Sequence, residues 1–462
     1  MSTQFIIILF AIVYFGFIIY TRRKGNFEEF SVAGRSLGTF LIFASVAASY
    51  IGPAMTLGLS REGFANGTYV NSFSVLTAFA MGFVGIVLAP IVRKKFRASF
   101  SIGDVMGGPE SHNHKNVKIA TGIISIWLMS SVTIALTYAG GELINNAFGF
   151  PKFWSIAIIT SIVVLYSSFG GIRATIHTDA FQLIVFTILV PLLAIFIIQD
   201  NGFNWSAFQE SSVLKTTTAK ESQNLSSIVG LAMFWIFGAG FDAPVINRIL
   251  ASRDTKVART SIILAGIFMS SWAVLMVFIG NAGAFLHPEL IVNDQVLLNI
   301  AEAHLPTALY GLFMVALIGV VMSSADSTLN TASIVFSEDV VGGIWKETSQ
   351  ASKLKLAKGF TISLGILAIF IASYLTSILH AIMTVVNIYI PMMIPVVILS
   401  ILNKKHYWQS AIVSMVTGLI SFLIFEYLKS ESLPSTFIAV VFGFIAYWVC
   451  DQVINNKKVL NT

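Results

Sequence analysis

The sequence predicts an all-α, polytopic membrane protein. It should have about 13 transmembrane helices, two of them broken, and a core of two inverted five-helix repeats. Three observations predict it. The 462 residues are 56% hydrophobic and 11% charged, with a mean hydropathy of +0.83, whereas a soluble chain carries roughly a quarter charged residues. The apolar runs are long enough to cross about 30 Å of hydrocarbon, and the basic residues alternate in step with them. Two runs are interrupted by glycine and proline at matched positions.

The candidate spans cover 4–21, 38–64, 68–92, 117–147, 153–169, 178–199, 225–250, 258–284, 307–334, 357–378, 380–402, 407–428 and 435–454. The first, from Phe5 to Tyr20, has no basic residue before it and "TRRK" after it. A secretory signal has the reverse charge order, so this run is read as spanning, with its N-terminus outside. Thirteen crossings then leave the C-terminus in the cytoplasm, in a multi-pass protein of the cell membrane. The loops so placed inside hold 23 of the 28 Lys and Arg; Arg61, Lys152, Lys215, Lys220 and Lys429 fall outside. That satisfies the positive-inside rule, under which the net charge of +6 is an orientation signal. Two longer polar segments, 200–224 and 285–305, lie outside. The expected division is 1–37 for the first helix and an inner loop, and 38–199 for the first repeat. The second repeat is 200–402, and peripheral helices with an inner tail occupy 403–462.

The second span reads "LIFASVAASYIGPAMTLGLS", with Gly52-Pro53 at mid-membrane; the seventh reads "LAMFWIFGAGFDAPVINRIL", with Gly238, Gly240 and Pro244 at its centre. Proline removes a backbone donor and clashes with the preceding turn. Unwound backbone at membrane depth survives only where it lines a cavity or is buried in protein. The breaks lie five spans apart and are entered from opposite sides. That pattern marks inverted repeats with a binding site between them. Two ordinary proline kinks are the alternative.

The ninth span carries "VVMSSADSTLNT" directly after ten uncharged residues. On a helix, Val320, Ser323, Ser324 and Ser327 share one face. Hydroxyls with freed carbonyls make a hard-oxygen site suited to sodium, whereas calcium or magnesium wants several carboxylates. The carbonyls of Ala48 and Ile51, just before Gly52-Pro53, are the natural partners. Asp326 is a functional candidate because an unpaired intramembrane carboxylate costs at least about 3 kcal/mol. Back-bonding of the hydroxyls to their own helix would account for one or two of them, but not for Asp326.

Several classes are excluded. The single cysteine, Cys450, permits no internal disulfide and no thiol metal site. His112 and His114 lie in a polar loop and underfill a zinc site. No nucleophile–base pair or phosphate-binding loop is present, so no enzyme is expected, and no nucleic-acid partner. The expected partners are a small-molecule solute and membrane lipid, with the chain working as a monomer.

These residues resemble those of the sodium:solute symporter family, the group of the proline, pantothenate, sugar, sialate and choline symporters. The resemblance covers residues 5–455 and is carried by "FEEFSVAGRSLG", "AASYIGPAM", "SSFGGIRATIHTDAFQ" and "MSSADSTLNTASIVFSEDV". It implies a LeuT-type core, with spans 2–6 and 7–11 as the repeats. It also implies a sodium ion held by Ala48, Ile51, Val320, Ser323 and Ser324, the residues reached above. In some members a second sodium lies near the Thr-Asp of the sixth span, which here implies Asp179, Asp326 and Ser327. Aspartate at 326 departs from the hydroxyl of some of those members and leaves a proton site open.

The implied function is sodium-coupled uptake of a small polar organic solute by alternating access. Pro53, Ala54 and Met55 follow the first break, which disfavours a sugar. The stretches "VMSSADS" and "NRILAS" look most like the choline branch, whose amine sits among aromatic rings. Asp242 and Ser131 stand where two of those rings would align, which argues against choline itself. The substrate site is expected at Tyr50, Met55, Phe237, Phe241 and Asp242, where one carboxylate among apolar groups suits a cation or a zwitterion. The alternative for Asp242 is a gating pair with Arg248. Proton coupling through Asp326 or Asp179 is the alternative within transport. A membrane sensor domain is the alternative of another class, disfavoured because the chain ends at "NNKKVLNT".

Overall fold

The computed structural model describes residues 2–21, 25–68, 75–108, 114–215, 225–345, 347–375, 378–402, 407–428 and 433–460. Arg22, Arg23, Lys24, Lys220, Lys346, Lys404, Lys405, Lys429 and His112, all used above, lie outside the described residues. The helices are α1 (Thr3–Thr21), α2 (Phe27–Val32), α3 (Thr39–Tyr50), α4 (Leu59–Asn66), α5 (Leu76–Lys95), α6 (Ile102–Gly107) and α7 (Lys115–Phe148). There follow α8 (Lys152–Ser168), α9 (Gly170–Ile198), α10 (Leu225–Phe237), α11 (Ala243–Ala251), α12 (Thr255–Leu286) and α13 (Val296–His304). The last five are α14 (Thr307–Val335), α15 (Gln350–Ala372), α16 (Ile378–Leu402), α17 (Trp408–Tyr427) and α18 (Ser435–Leu460). Among the described residues, nine helices are long and apolar enough to cross a membrane, and the bent pair of α3 and the helix after it adds a tenth. The β contact recorded among these residues is the isolated bridge of Leu37 with Ser252.

α14 is the axis. Every residue from Phe313 to Val335 is buried, and α14 packs against α7, α9, α3 and α15. Its polar face is therefore shielded from lipid by neighbouring helices. Apolar side chains on α15 (Ile362, Ile366, Phe370) and α17 (Val416, Ile420, Leu423) are exposed and form the belt that hydrocarbon would cover.

Both expected breaks are present. α3 and the segment Ala54–Asn66 are bent by 60° at Gly52-Pro53. The Ile51 N–H ends α3 on the Ala47 carbonyl (3.0 Å), and the chain resumes with Met55 and Thr56 donating to Gly52 (3.0 Å each). Pro53 has no N–H for the Ser49 carbonyl. α10 stops at Phe237, and α11 restarts at Ala243 with Asp242 as its N-cap and Pro244 in its first turn.

Two boundaries differ from the sequence reading. The gap expected between 169 and 178 closes to a corner at Gly171 (φ +59°, ψ −166°), where a Cβ would meet Phe30 at 2.6 Å. Once that corner is turned, "IRATIHTDAFQ" contains no breaker and winds on as helix, so Asp179 lies well inside α9. α15 begins at Gln350, not 357, because Ser349 accepts from the Ser352 N–H (3.1 Å) and starts the polar turns.

The stretch "FEEFSVAGRSLG" is a structural knot. Arg173 of α9 pairs with Glu29 (2.8 Å) and donates to the Ala33 carbonyl (2.5 Å) and the Ser36 hydroxyl (2.8 Å). Arg35 donates to the Ser99 carbonyl (2.9 Å), and the Arg253 N–H to the Leu37 carbonyl (2.9 Å). Two of the family-like stretches thus dock on one another.

Candidate functional site

Where α3 ends against the middle of α14, the Ser323 hydroxyl donates to the carbonyls of Ala48 and Val320 (3.0 Å each), and Ser324 to Val320 (3.2 Å). All four residues are buried. Ser324 presses so close to the break that a Cβ at Gly52 would stand 2.5 Å from its hydroxyl. Four of the five expected sodium ligands thus converge. The fifth, the Ile51 carbonyl, accepts from the Thr56 hydroxyl (2.6 Å), which also accepts from the Trp272 indole (3.1 Å). Neutral oxygens from two helices, with their hydroxyls free to turn, fit a dehydrated monovalent cation.

One turn along α14, Ser327 faces a different pocket. The Asp179 carboxylate accepts from Ser45 (2.5 Å) and lies 3.5 Å from the Ser327 hydroxyl. Beside them sits the guanidinium of Arg248, 1% exposed and 3.7 Å from Asp179. It donates to Ser327 (2.5 Å), Ser45 (3.2 Å), Ser49 (3.3 Å) and the Pro244 carbonyl (3.3 Å). Arg248 counts among the 23 basic residues placed inside, whereas its guanidinium is buried among α3, α9 and α14. Its stem runs inward along α11, and its planar fork finds acceptors on α3 and α14. Asp326 borders this pocket, interacting electrostatically with Asp179, Arg248 and Ser327. It points around the helix to α8, where the Tyr166 hydroxyl donates to it (2.8 Å).

Beside both pockets lies a cavity of about 140 Å³. Tyr50, Met55, Phe237 and Asp242 line it as expected, and Ser324 and Ser327 open onto it. Phe241 does not line it. It is 2% exposed and packs behind the wall, its ring centroid 5.6 Å from that of Phe237. Asp242 does not pair with Arg248 in a gate: its carboxylate accepts from the Tyr50 hydroxyl and the Val245 N–H. The two breaks are thereby tied to each other.

The sequence model of the sodium:solute symporter family matches residues 30–418. The chain belongs to the sodium:solute symporter family. The match is narrower than the expected 5–455, leaving out the first span, the last span and the end of the twelfth. The sodium/proline symporter of Staphylococcus aureus (strain bovine RF122 / ET3-1) is 25% identical over 381 residues, 78% of this chain and 73% of that protein. The sodium/proline symporter of strain JH9 is 24% identical over 379 residues, with the same shares. The substrate-bound, outward-open structure of a Na+-coupled sialic acid symporter superposes with a TM-score of 0.84 at 19% identity, covering 97% of this chain and 95% of that one. Mhp1, a nucleobase-cation-symport-1 family transporter, superposes with a TM-score of 0.58 at 14% identity, covering 92% and 95%. This symporter is thus a multi-pass membrane transporter of the sodium-coupled class, not an enzyme.

Sequence reasoning missed several residues of the symporter's site. Arg248 reads in sequence only as a gating partner for Asp242, and its role beside Asp179 is hidden by its place at the end of an apolar run, where a basic residue usually marks a loop. Ser49 carried a signal, a hydroxyl one residue before Tyr50. Trp235 and Tyr389 also line the cavity, and nothing in their stretches sets them apart from ring-rich lipid-facing runs.

Proposed function

We propose that this symporter couples inward movement of a sodium ion to uptake of a small organic cation or zwitterion. The observation that carries the reading is the convergence of Ala48, Val320, Ser323 and Ser324 at the α3–α14 crossing. Sodium bound there joins the two helices and favours the conformation in which they touch. Its departure lets them part, and that difference in affinity is what coupling requires.

The architecture in this proposal has thirteen spans, with repeats at 38–199 and 200–402, an outer N-terminus and an inner C-terminus. The matched breaks and the alternating basic residues support it. Asp242 is the carboxylate of the cavity wall, and no Lys, Arg or His joins it among the lining residues. A wall with one negative group and no positive one supports a cationic or zwitterionic solute over an anion. Arg248 supports a single sodium, because a tethered guanidinium already balances Asp179. The second cation position at Asp179, Asp326 and Ser327 is thus proposed in altered form, with Arg248 as its cation and Asp326 at its edge, bonded to Tyr166.

A second reading, proton coupling, rests on Asp326, a fully buried carboxylate that accepts from the neutral Tyr166 and lies near the Asp179 carboxylate. One screen tests both. Thermal shifts of purified protein against amines, amino acids, vitamins and sugars, with and without sodium, should show a solute whose stabilisation needs sodium. Stabilisation by a neutral sugar or an anion alone would reject the solute class. Sodium-independent uptake that rises with acidity would select the proton.

A further inference from the structure

Away from the site, four side chains form an unbroken chain at the ends of α9, α12 and α13. His287 and His304 face each other Nε2 to Nε2 at 3.0 Å. The outer nitrogen of each ring faces a carboxylate: Nδ1 of His287 lies 3.2 Å from Glu289, and Nδ1 of His304 lies 3.3 Å from Asp200. The ring centroids are 5.0 Å apart, as two facing ring edges require. Asp200 is held in place, since its other oxygen accepts from the Gly202 N–H (2.8 Å).

Counting protons shows what this geometry demands. Ionised carboxylates only accept, so each Nδ1 must carry a proton to bond its carboxylate. The Nε2–Nε2 contact needs one proton more. Three contacts therefore need three protons, whereas two neutral imidazoles carry two. With four protons, two N–H groups would collide at 3.0 Å.

We propose that His287 and His304 hold three protons between them, and that this singly charged pair is a pH-dependent clasp joining the ends of α9, α12 and α13. The extra charge belongs on His287. That ring is more exposed than His304, 26% against 3%, and pairs with the exposed Glu289. Burial, and then the charge of His287, push His304 below the usual histidine range, which keeps its Nε2 free to accept. Both rings sit at helix C-termini, His287 as the C-cap of α12 and His304 in the last turn of α13, where the helix dipole favours a cation.

Other charged groups on the packed helices are engaged elsewhere. Arg61 pairs with Asp294 (3.6 Å), and Glu62 accepts from Asn66 (2.8 Å). Glu302 lies toward Tyr310. The clasp has a mechanical consequence, because α13 ends at His304 and α14, with Ser323 and Ser324, begins at Thr307. On the orientation proposed above it faces outside and senses external pH, but the clasp itself depends neither on the solute nor on sodium.

Amide hydrogen exchange over residues 285–305 in detergent-solubilised protein, corrected for the intrinsic pH effect, tests it. Protection should pass through a maximum where the pair holds three protons. It should fall on the order of tenfold on the alkaline side as one bond is lost, and fall again in stronger acid. Glu289→Ala should abolish the alkaline loss, because two protons then satisfy the two remaining bonds. His287→Gln should flatten the profile. Identical profiles in wild type and Glu289→Ala overturn the proposal. So does a wild-type profile that a chelator removes, which would put a metal ion in place of the proton.

Discussion

Ser324 and Ser327 lie one turn apart on α14, and each faces a pocket suited to a cation, yet the pockets are built differently. The first consists of neutral oxygens: two hydroxyls and the carbonyls of Ala48 and Val320. The second contains the Asp179 carboxylate and already holds the guanidinium of Arg248. A neutral-oxygen pocket offers only ion–dipole contacts, so it binds a dehydrated ion reversibly. A buried carboxylate would grip a mobile cation far harder and leave an expensive charge behind on its release. The tethered guanidinium removes that problem. A coupling ion must leave on every cycle, and in the proposed mechanism the neutral pocket is the one that permits it.

The largest expected effect breaks the second pocket. Arg248→Ala leaves Asp179 buried and uncompensated, and should cost roughly 3–5 kcal/mol, read as a fall in melting temperature. Adding Asp179→Asn should recover most of the loss, whereas Arg248→Lys should fall between, keeping the charge but not the fork. Equal melting temperatures for wild type and Arg248→Ala would mean that the guanidinium balances nothing.

The next effect separates solute from ion. Asp242→Asn should raise the half-saturating solute concentration on the order of tenfold while leaving sodium activation in place. A matching shift in sodium affinity would merge the cavity with the ion pocket. The smallest effect is expected at Asp326. Its close hydrogen bond goes to the neutral Tyr166, and it meets the Arg248 network only at the edge, so Asp326→Asn should change sodium affinity less than threefold, roughly the worth of half a hydrogen bond. Loss of all uptake, together with its pH dependence, would instead support proton coupling.

Much of this was legible in sequence, for identifiable reasons. Oxygens at Ser323 and Ser324 stand out against the oily run before them, and Gly52-Pro53 announces freed backbone. Asp242 is conspicuous after the second break. What stayed hidden depends on rotation and reach. Ser327 and Asp326 are adjacent, and only the packing of α8, α9 and α11 around α14 decides that one meets Arg248 and the other Tyr166. Phe241 follows the same stretch as Phe237, but the turn at Gly240 (φ +91°) directs the chain behind the cavity wall. His287 and His304 sit 17 residues apart with no pattern linking them.

The central claim is that sodium binds the neutral pocket and not the carboxylate one. Sodium titration of purified wild type, Ser323→Ala, Ser324→Ala and Asp179→Asn, followed by thermal shift, tests it most directly. Wild type should saturate as a single site. Each serine variant should need about tenfold more sodium, from a ligand worth roughly 1–2 kcal/mol, and Asp179→Asn should keep its sodium response even if its melting temperature falls. Unchanged titrations in both serine variants, with the response lost in Asp179→Asn, would contradict the account and move the ion to the pocket of Arg248.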